Sequence, residues 1–294
     1  MVYQAVLREL VGCDFSSSPS KTKSIVLAFG HLNKGCVQVT RLERLQSLDA
    51  FSQWLLKPAG WVGGFDLPFG LPRELVETLR WPVQWEECIH HYASLTREQV
   101  RSAFAGFCNA RPTGGKFAHR ATDRPAGSSS SMKWVNPPVA LMLHAGVPRL
   151  LAAGVHLVGL QPNQSDGATN ANGQNPRIAL EAYPGLLARE VLAQRSYKSD
   201  TKAKQTPDRL IARKDLITAL EHGQTRLGLR LKLTHSQRDL LVDDGSGDSL
   251  DAVMCLIQAA WGQARYAEGD ERYGLPAEMD PLEGWILTAG WQKP

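Results

Sequence analysis

Five acids occupy positions where an acid is expensive. Asp14 ends the apolar stretch of "GCDF", Asp66 ends "GGFD", Glu181 ends "ALE", and Asp248 and Asp251 open the apolar run "DSLDAVMCLIQAAW". A carboxylate at the end of an apolar strand is costly to desolvate unless it is paired or binds a cation. Small neighbours (Gly12 and Ser16, Gly63 and Gly64, Ala182) would let other backbone or a ligand approach the first three closely. Asp248 and Asp251 stand three apart, so on a helix they share one side and can converge on one point. A plainer reading stands beside this one. Ser246 or Asp248 is an N-cap candidate, and acids in a first turn suit the positive end of a helix dipole. If the acids do gather, oxygen-only ligands select a hard ion, Mg²⁺ or Mn²⁺, over zinc.

The elements that must position these acids can be read from periodicity and punctuation. "AVLRELVGCDF", "SIVLAFGHL" and "GCVQVTRLERL" read as three strands close enough to form an antiparallel meander. "SLDAFSQWLL" reads as a short helix capped by Ser47 or Asp49. "GWVGGFDLPFGLP" is a fourth strand, with Pro68 and Pro72 stopping its continuation. Residues from about 73 to 150 read as a helical and loop insertion within a single domain spanning 1–294. Within it, Thr96 and Gln99 have capping-box spacing for a helix to about Phe107, and a further helix runs from about Pro138 to Ala153. The Gly/Pro/Ser-rich stretch 111–131 between them predicts a mobile or ligand-ordered loop.

After the insertion come an apolar strand, "GVHLVGLQ", an exposed Gly/Asn-rich stretch at 162–176, and the strand "RIALEAYPG". Helices are expected at 184–194 and 207–222, the second with Thr206 as cap and Pro207 at its first position. The Thr234/Gln237 pair opens another. The quoted acidic helix follows, then a tail, "YGLPAEMDPLEGWIL", that can return to the sheet.

Composition sets the class. With 43% hydrophobic and 21% charged residues, the chain can bury a substantial core. Arg8 and Glu9 interrupt what would be a signal core, and the longest largely apolar run, Ala252–Trp261, is too short to span a bilayer. Five scattered cysteines with no C-x-x-C fit a reducing, cytoplasmic setting. The formal charge is only +4, yet residues 111–133 carry five Lys/Arg against one acid and residues 195–214 carry seven against two. The remainder is therefore net acidic. Two basic segments on an acidic chain read either as solvated faces or as a phosphate-binding footprint for nucleic acid.

Order completes the picture. A three-stranded meander, a helix, a fourth strand, a crossover, a fifth strand and a late helix describe an α/β ribonuclease H-like fold, a mixed five-stranded sheet flanked by helices. "GCDF", "FDLPFGLP", "LEAYPG", Tyr197–Lys198, "GDSLDAVMC" and "EGWI" resemble, in this order from Val11 to Ile286, the family of ribonuclease H-like nucleases still classed as a domain of unknown function. The D-x-x-D-A pattern from Asp248 to Ala252 also resembles the last helix of Holliday-junction resolvases. The resemblance implies that Asp14, Asp66, Glu181, Asp248 and Asp251 meet at one sheet edge as catalytic metal ligands. It implies a metal-dependent nuclease acting on DNA or RNA.

Gathered carboxylates would repel and partly protonate without a cation. Two ions about 3.5–4 Å apart would activate a water and stabilise the leaving oxygen of a phosphodiester. Asp14 would bridge them, Asp66 and Asp251 would each hold one, and Asp248 and Glu181 would hold outer waters or the second ion. Arg111, Lys116, His119, Arg120, Arg124, Lys198 and Lys202 are the candidate phosphate contacts.

Two other functions compete. A nucleic-acid-binding module of the same fold without turnover would bind independently of Mg²⁺. A phosphotransferase of the actin-like group needs two copies of the fold and Gly-rich phosphate loops, whereas "GCDFSSSPS" is Ser-rich and no second copy is present. "WEECIHHY" clusters Cys88, His90 and His91 but lacks a second ligand pair at zinc-finger spacing. Trp134 and the other tryptophans read as core or as base-stacking platforms.

Overall fold

The computed structural model describes residues 8–162 and 176–292. β1 (Glu9–Asp14), β2 (Ile25–Asn33) and β3 (Cys36–Leu45) form the antiparallel meander. Lys34 and Gly35, both at positive φ, make the two-residue turn between β2 and β3, the hand that suits a twisted hairpin. α1 (Leu48–Leu55) follows, and its cap is Ser47, whose side chain accepts from the Ala50 amide at 3.0 Å. β4 (Trp61–Asp66) then lies parallel to β1.

Five helices occupy the stretch expected as an insertion: α2 (Arg73–Thr78), α3 (Trp85–Ser94), α4 (Arg97–Asn109), α5 (Asp123–Ala126) and α6 (Val139–Ala152). Both glutamine capping boxes form, at Thr96/Gln99 for α4 and at Thr234/Gln237 for α9 (His235–Asp243). The remaining elements are β5 (His156–Leu157), β6 (Arg177–Glu181), α7 (Pro184–Leu192), α8 (Pro207–Glu221), β7 (Arg230–Lys232) and α10 (Asp248–Ala267). All of the Gly/Asn-rich stretch except its two end residues lies outside the described residues.

The sheet runs β5-β6-β4-β1-β2-β3-β7, a seven-stranded mixed α/β sheet rather than the five strands expected. Both outer strands are short edges: β5 is what remains of the strand expected over "GVHLVGLQ", and β7 was not expected. β5 pairs through two residues only, because the left-handed Gly159 turns the chain away from an extended path. β7 sets buried Leu231 between exposed Arg230 and Lys232, and a short charged edge resists pairing with other chains. The tail adds no strand, but it does return to the end of the sheet, where the Leu287 amide donates to the Glu181 carbonyl of β6 at 2.8 Å. Tyr273, Gly274 and Gly284 take positive φ and fold it into turns.

The stretch 111–131 also departs from expectation. It is pinned rather than loose: Arg120, Thr122, Asp123, Ser130 and Ser131 are buried, and Thr122 accepts from the Ile286 amide at 2.9 Å. Among the described residues, no helix is long and apolar enough to cross a membrane.

α10 is the element that matters most for the site. Its residues 248–262 are all buried, as befits a helix apolar on nearly every side. It can lie directly on the sheet because Gly12 of β1 and Gly64 of β4 are register partners beneath it. A methyl at Gly12 would overlap the backbone of Ala252 and Leu256, and one at Gly64 would overlap the Cys255 carbonyl.

Candidate metal centre

β1 and β4 each carry the same three-residue device, glycine, a large or sulfur-bearing residue, then aspartate. In the parallel register Gly12 faces Gly64 and Asp14 faces Asp66. Side chains two apart on a strand share a face. The glycines therefore admit α10, and the acids emerge on that same face one step further along. The first turn of α10 completes the group: carboxylate oxygens of Asp14, Asp66 and Asp251 all lie within 4.8 Å of one another.

Asp251 is fully buried and Asp14 is 9% exposed. Among the described residues, no hydrogen-bond donor reaches the carboxylate of Asp14 or of Asp66. Two acids at a sheet edge thus face each other, Asp251 and open space. Burial, reinforced by Asp251, pushes Asp66 up to about 7. Burial, then Asp251 and Asp248, hold Asp14 well above the usual carboxylate range.

The partners of the α10 acids separate capping from ligation. The N-cap is left-handed Gly247, and neither Ser246 nor Asp248 caps the helix. The exposed amide of Ser249 is met instead by Asp244, at 2.9 Å. Burial alone would raise Asp244, but donors from Ser246 and Ser249 and the Arg44 guanidinium bring it down to about 2. Asp251 is left free to face the site. It accepts from the Tyr197 hydroxyl at 2.5 Å and pairs with the Lys198 ammonium. Burial works against the charge on Lys198, yet Asp251 more than offsets it and holds that ammonium above its ordinary range. Lys198 is itself seated by Gly247, where a side chain would collide with its Cβ.

The other two expected ligands stand apart. Asp248, 3% exposed, is paired with the Lys23 ammonium at 2.7 Å and lies outside the three-acid cluster. Glu181 is held by the Arg120 guanidinium at 2.7 and 2.9 Å and accepts from the Phe69 amide at 2.9 Å. Burial still outweighs these partners and raises its pKa.

Arg120, expected to touch phosphate, is instead 2% exposed and enclosed. It binds Glu181, Asp123 and the Glu283 carbonyl, which makes it a clamp between the end of β6, the pinned stretch and the tail. Glu283 extends the clamp by accepting from the amides of Arg73 and Ala121, both at 2.8 Å. So "FGLP", "LEAYPG" and "EGWI" meet around one buried arginine.

A cavity of about 760 Å³ opens over the acids, between the sheet edge and α4 and α6. Asp14, Asp66, Glu181 and Lys198 line its floor, and Lys23, Arg97, Arg101 and Trp134 line its walls. A smaller one of about 220 Å³, lined by Arg189 and Arg195, shares Asp66, Tyr183 and Lys198 with it.

Of the seven expected phosphate contacts, only Arg120 and Lys198 line these cavities. Arg111 is occupied by Glu74 and the Gly115 carbonyl. His119 sits 3.9 Å from the Asp123 carboxylate. Lys116, Arg124 and Lys202 are exposed elsewhere. Lys23, Arg97 and Arg101 were not singled out from sequence, although the i,i+4 spacing of the two arginines on one helix face was visible there. The Cys88/His90/His91 group forms no three-ligand cluster among the described residues. No family model matches the chain, and neither a curated protein nor a solved structure does.

Proposed function

We propose that the protein is a divalent-metal-dependent nuclease that hydrolyses phosphodiester bonds of DNA or RNA. The observation that carries this reading is the convergence of Asp14 and Asp66, which no donor among the described residues reaches, with Asp251. Buried like charges at that spacing are destabilising unless protons or a cation intervene. Three oxygen donors of this kind fit Mg²⁺ or Mn²⁺. The ribonuclease H-like assignment draws support from the order β3-β2-β1-β4-β6 within the sheet and from α10 lying across β1 and β4.

Asp14, Asp66 and Asp251 would hold the ion. Asp248 pairs with Lys23 and lies outside the three-acid cluster, so the donor set favours one ion with two ammonium groups beside it over the two ions expected from sequence. A bound ion of this kind supplies an activated water and polarises the phosphoryl oxygen. The chain's own groups do the rest. Lys198 and Lys23 offset the negative floor so that a polyanion can approach. Tyr197 fixes the rotamer of Asp251, and the Arg120 clamp orients Glu181 and the loop after β4.

One observation favours a second reading, a nucleic-acid-binding module without turnover. Lys198 on Asp251 and Lys23 on Asp248 already neutralise half of the four-aspartate charge without an ion. The deciding experiment incubates pure protein with labelled single- and double-stranded DNA and RNA in Mg²⁺, Mn²⁺ or EDTA, with Asp14→Asn as control. Cleavage that requires the metal and Asp14 supports the nuclease. Binding indifferent to EDTA, with no cleavage, supports the module.

A further inference from the structure

The walls above the carboxylates are not those of a duplex-binding surface. One wall of the larger cavity is apolar and aromatic: Trp134, half-buried against Phe104 and Phe117, with Met142 of α6 beside it. Arg97 and Arg101, one helical turn apart, line the same cavity from α4, the helix whose Phe104 packs against Trp134. Arg97 is already braced on Ser17 and Ser18, whereas Arg101 is exposed. The two cavities share Asp66, Tyr183 and Lys198 in their linings, so the groove over the acids adjoins a second hollow beside Tyr183, whose ring has the Arg189 guanidinium 5.2 Å from its centroid.

We infer that this groove takes a single unpaired nucleic-acid strand, threaded across the carboxylates with one base against Trp134. The inference rests on the nuclease reading and names its substrate class. A duplex offers a protein its phosphates and the edges of its bases, and keeps its ring faces stacked inside. It would leave a concave aromatic wall without a partner. An unpaired strand presents ring faces and phosphates alternately, which matches a tryptophan and arginines lining one cavity. The larger cavity, at about 760 Å³, has the volume of a site for a drug-sized ligand, roughly 300–1,000 Å³. That is room for a few nucleotide units and not for a helix.

The test measures fluorescence anisotropy in Ca²⁺, which suppresses turnover. The probes are a short labelled single strand, its hairpin duplex and an abasic strand of equal length, each as DNA, with an RNA single strand alongside. The expected result is at least tenfold tighter binding of the single strand than of the duplex or the abasic strand. Trp134→Leu should weaken the normal strand by roughly tenfold, the order expected for one stacked base, and leave the abasic strand unchanged. Arg101→Glu should weaken normal and abasic strands alike. Equal affinity for single strand, duplex and abasic strand overturns the inference while the nuclease reading stands. No binding of any probe removes the nuclease reading itself. The three probes compared on the unmodified protein decide the matter even if Trp134→Leu fails to fold.

Discussion

Asp14 and Asp66 are register partners across the parallel β1–β4 pair, each two residues beyond a glycine that touches α10. That relationship links packing to chemistry. The close approach that seats the helix on the sheet is also what brings Asp251 to the two strand acids.

Gly12→Ala should therefore cost both stability and metal affinity. The new methyl would meet backbone on the α10 side, which cannot rotate away. Overpacking of this kind costs about 1–3 kcal/mol or more. Gly106, inside α4 with open space around its Cβ position, is the control. Gly106→Ala should stabilise by about 1 kcal/mol through helix propensity. Urea unfolding and a Ca²⁺ titration of both variants check the pair.

Asp251→Asn and Asp244→Ala should part company. Asp244 satisfies the exposed amide of the last helix, and losing such a cap costs about 1 kcal/mol. Asp251 faces the acids, so Asp251→Asn relieves repulsion with Asp14 and Asp66 while loosening Lys198, and should change Tm little while abolishing divalent binding. The reverse outcome would return Asp251 to a capping role.

Stability should respond to pH with a definite sign. Asp66 is raised to about 7 in the folded chain, chiefly by burial and Asp251, whereas an unfolded aspartate titrates near about 3.9. The folded state thus binds the extra proton, and this contribution is full below about pH 4 and lost as pH rises toward about 7. Asp14, raised by the same causes, acts in the same direction. Without metal, Tm should fall across that window more steeply than in Asp66→Asn. Mg²⁺ should raise Tm at pH 8 and have little effect at pH 5, which differential scanning calorimetry would show.

Arg120→Met should be severely destabilising. It would leave Glu181 and Asp123 buried without their cation, and breaking a buried pair costs about 3–5 kcal/mol. Loss of Tm at every salt concentration identifies the clamp. A weakened, salt-sensitive binding with unchanged Tm would make Arg120 a phosphate contact after all.

Much of this protein was legible along the chain because the signals are local. Alternation and punctuation mark the meander and β4, the Thr–Gln pairs mark two helix starts, and acids ending or opening apolar runs mark Asp14, Asp66 and Asp251. β7 was not read as a strand: Leu227, Leu229, Leu231 and Leu233 alternate with other residues, but the run is short enough to pass for a loop. What sequence could not assign were the partners. Nothing near Glu181 or Asp248 announces that Arg120 and Lys23, 61 and 225 residues away, will occupy them. Nor does a count of basic residues say which face the cleft: Arg97 and Arg101 do, whereas most of the charge in residues 111–133 does not. Composition determines that the cations exist. Which acid each one reaches depends on how distant segments pack, and here two glycines set that packing by letting one helix touch the sheet.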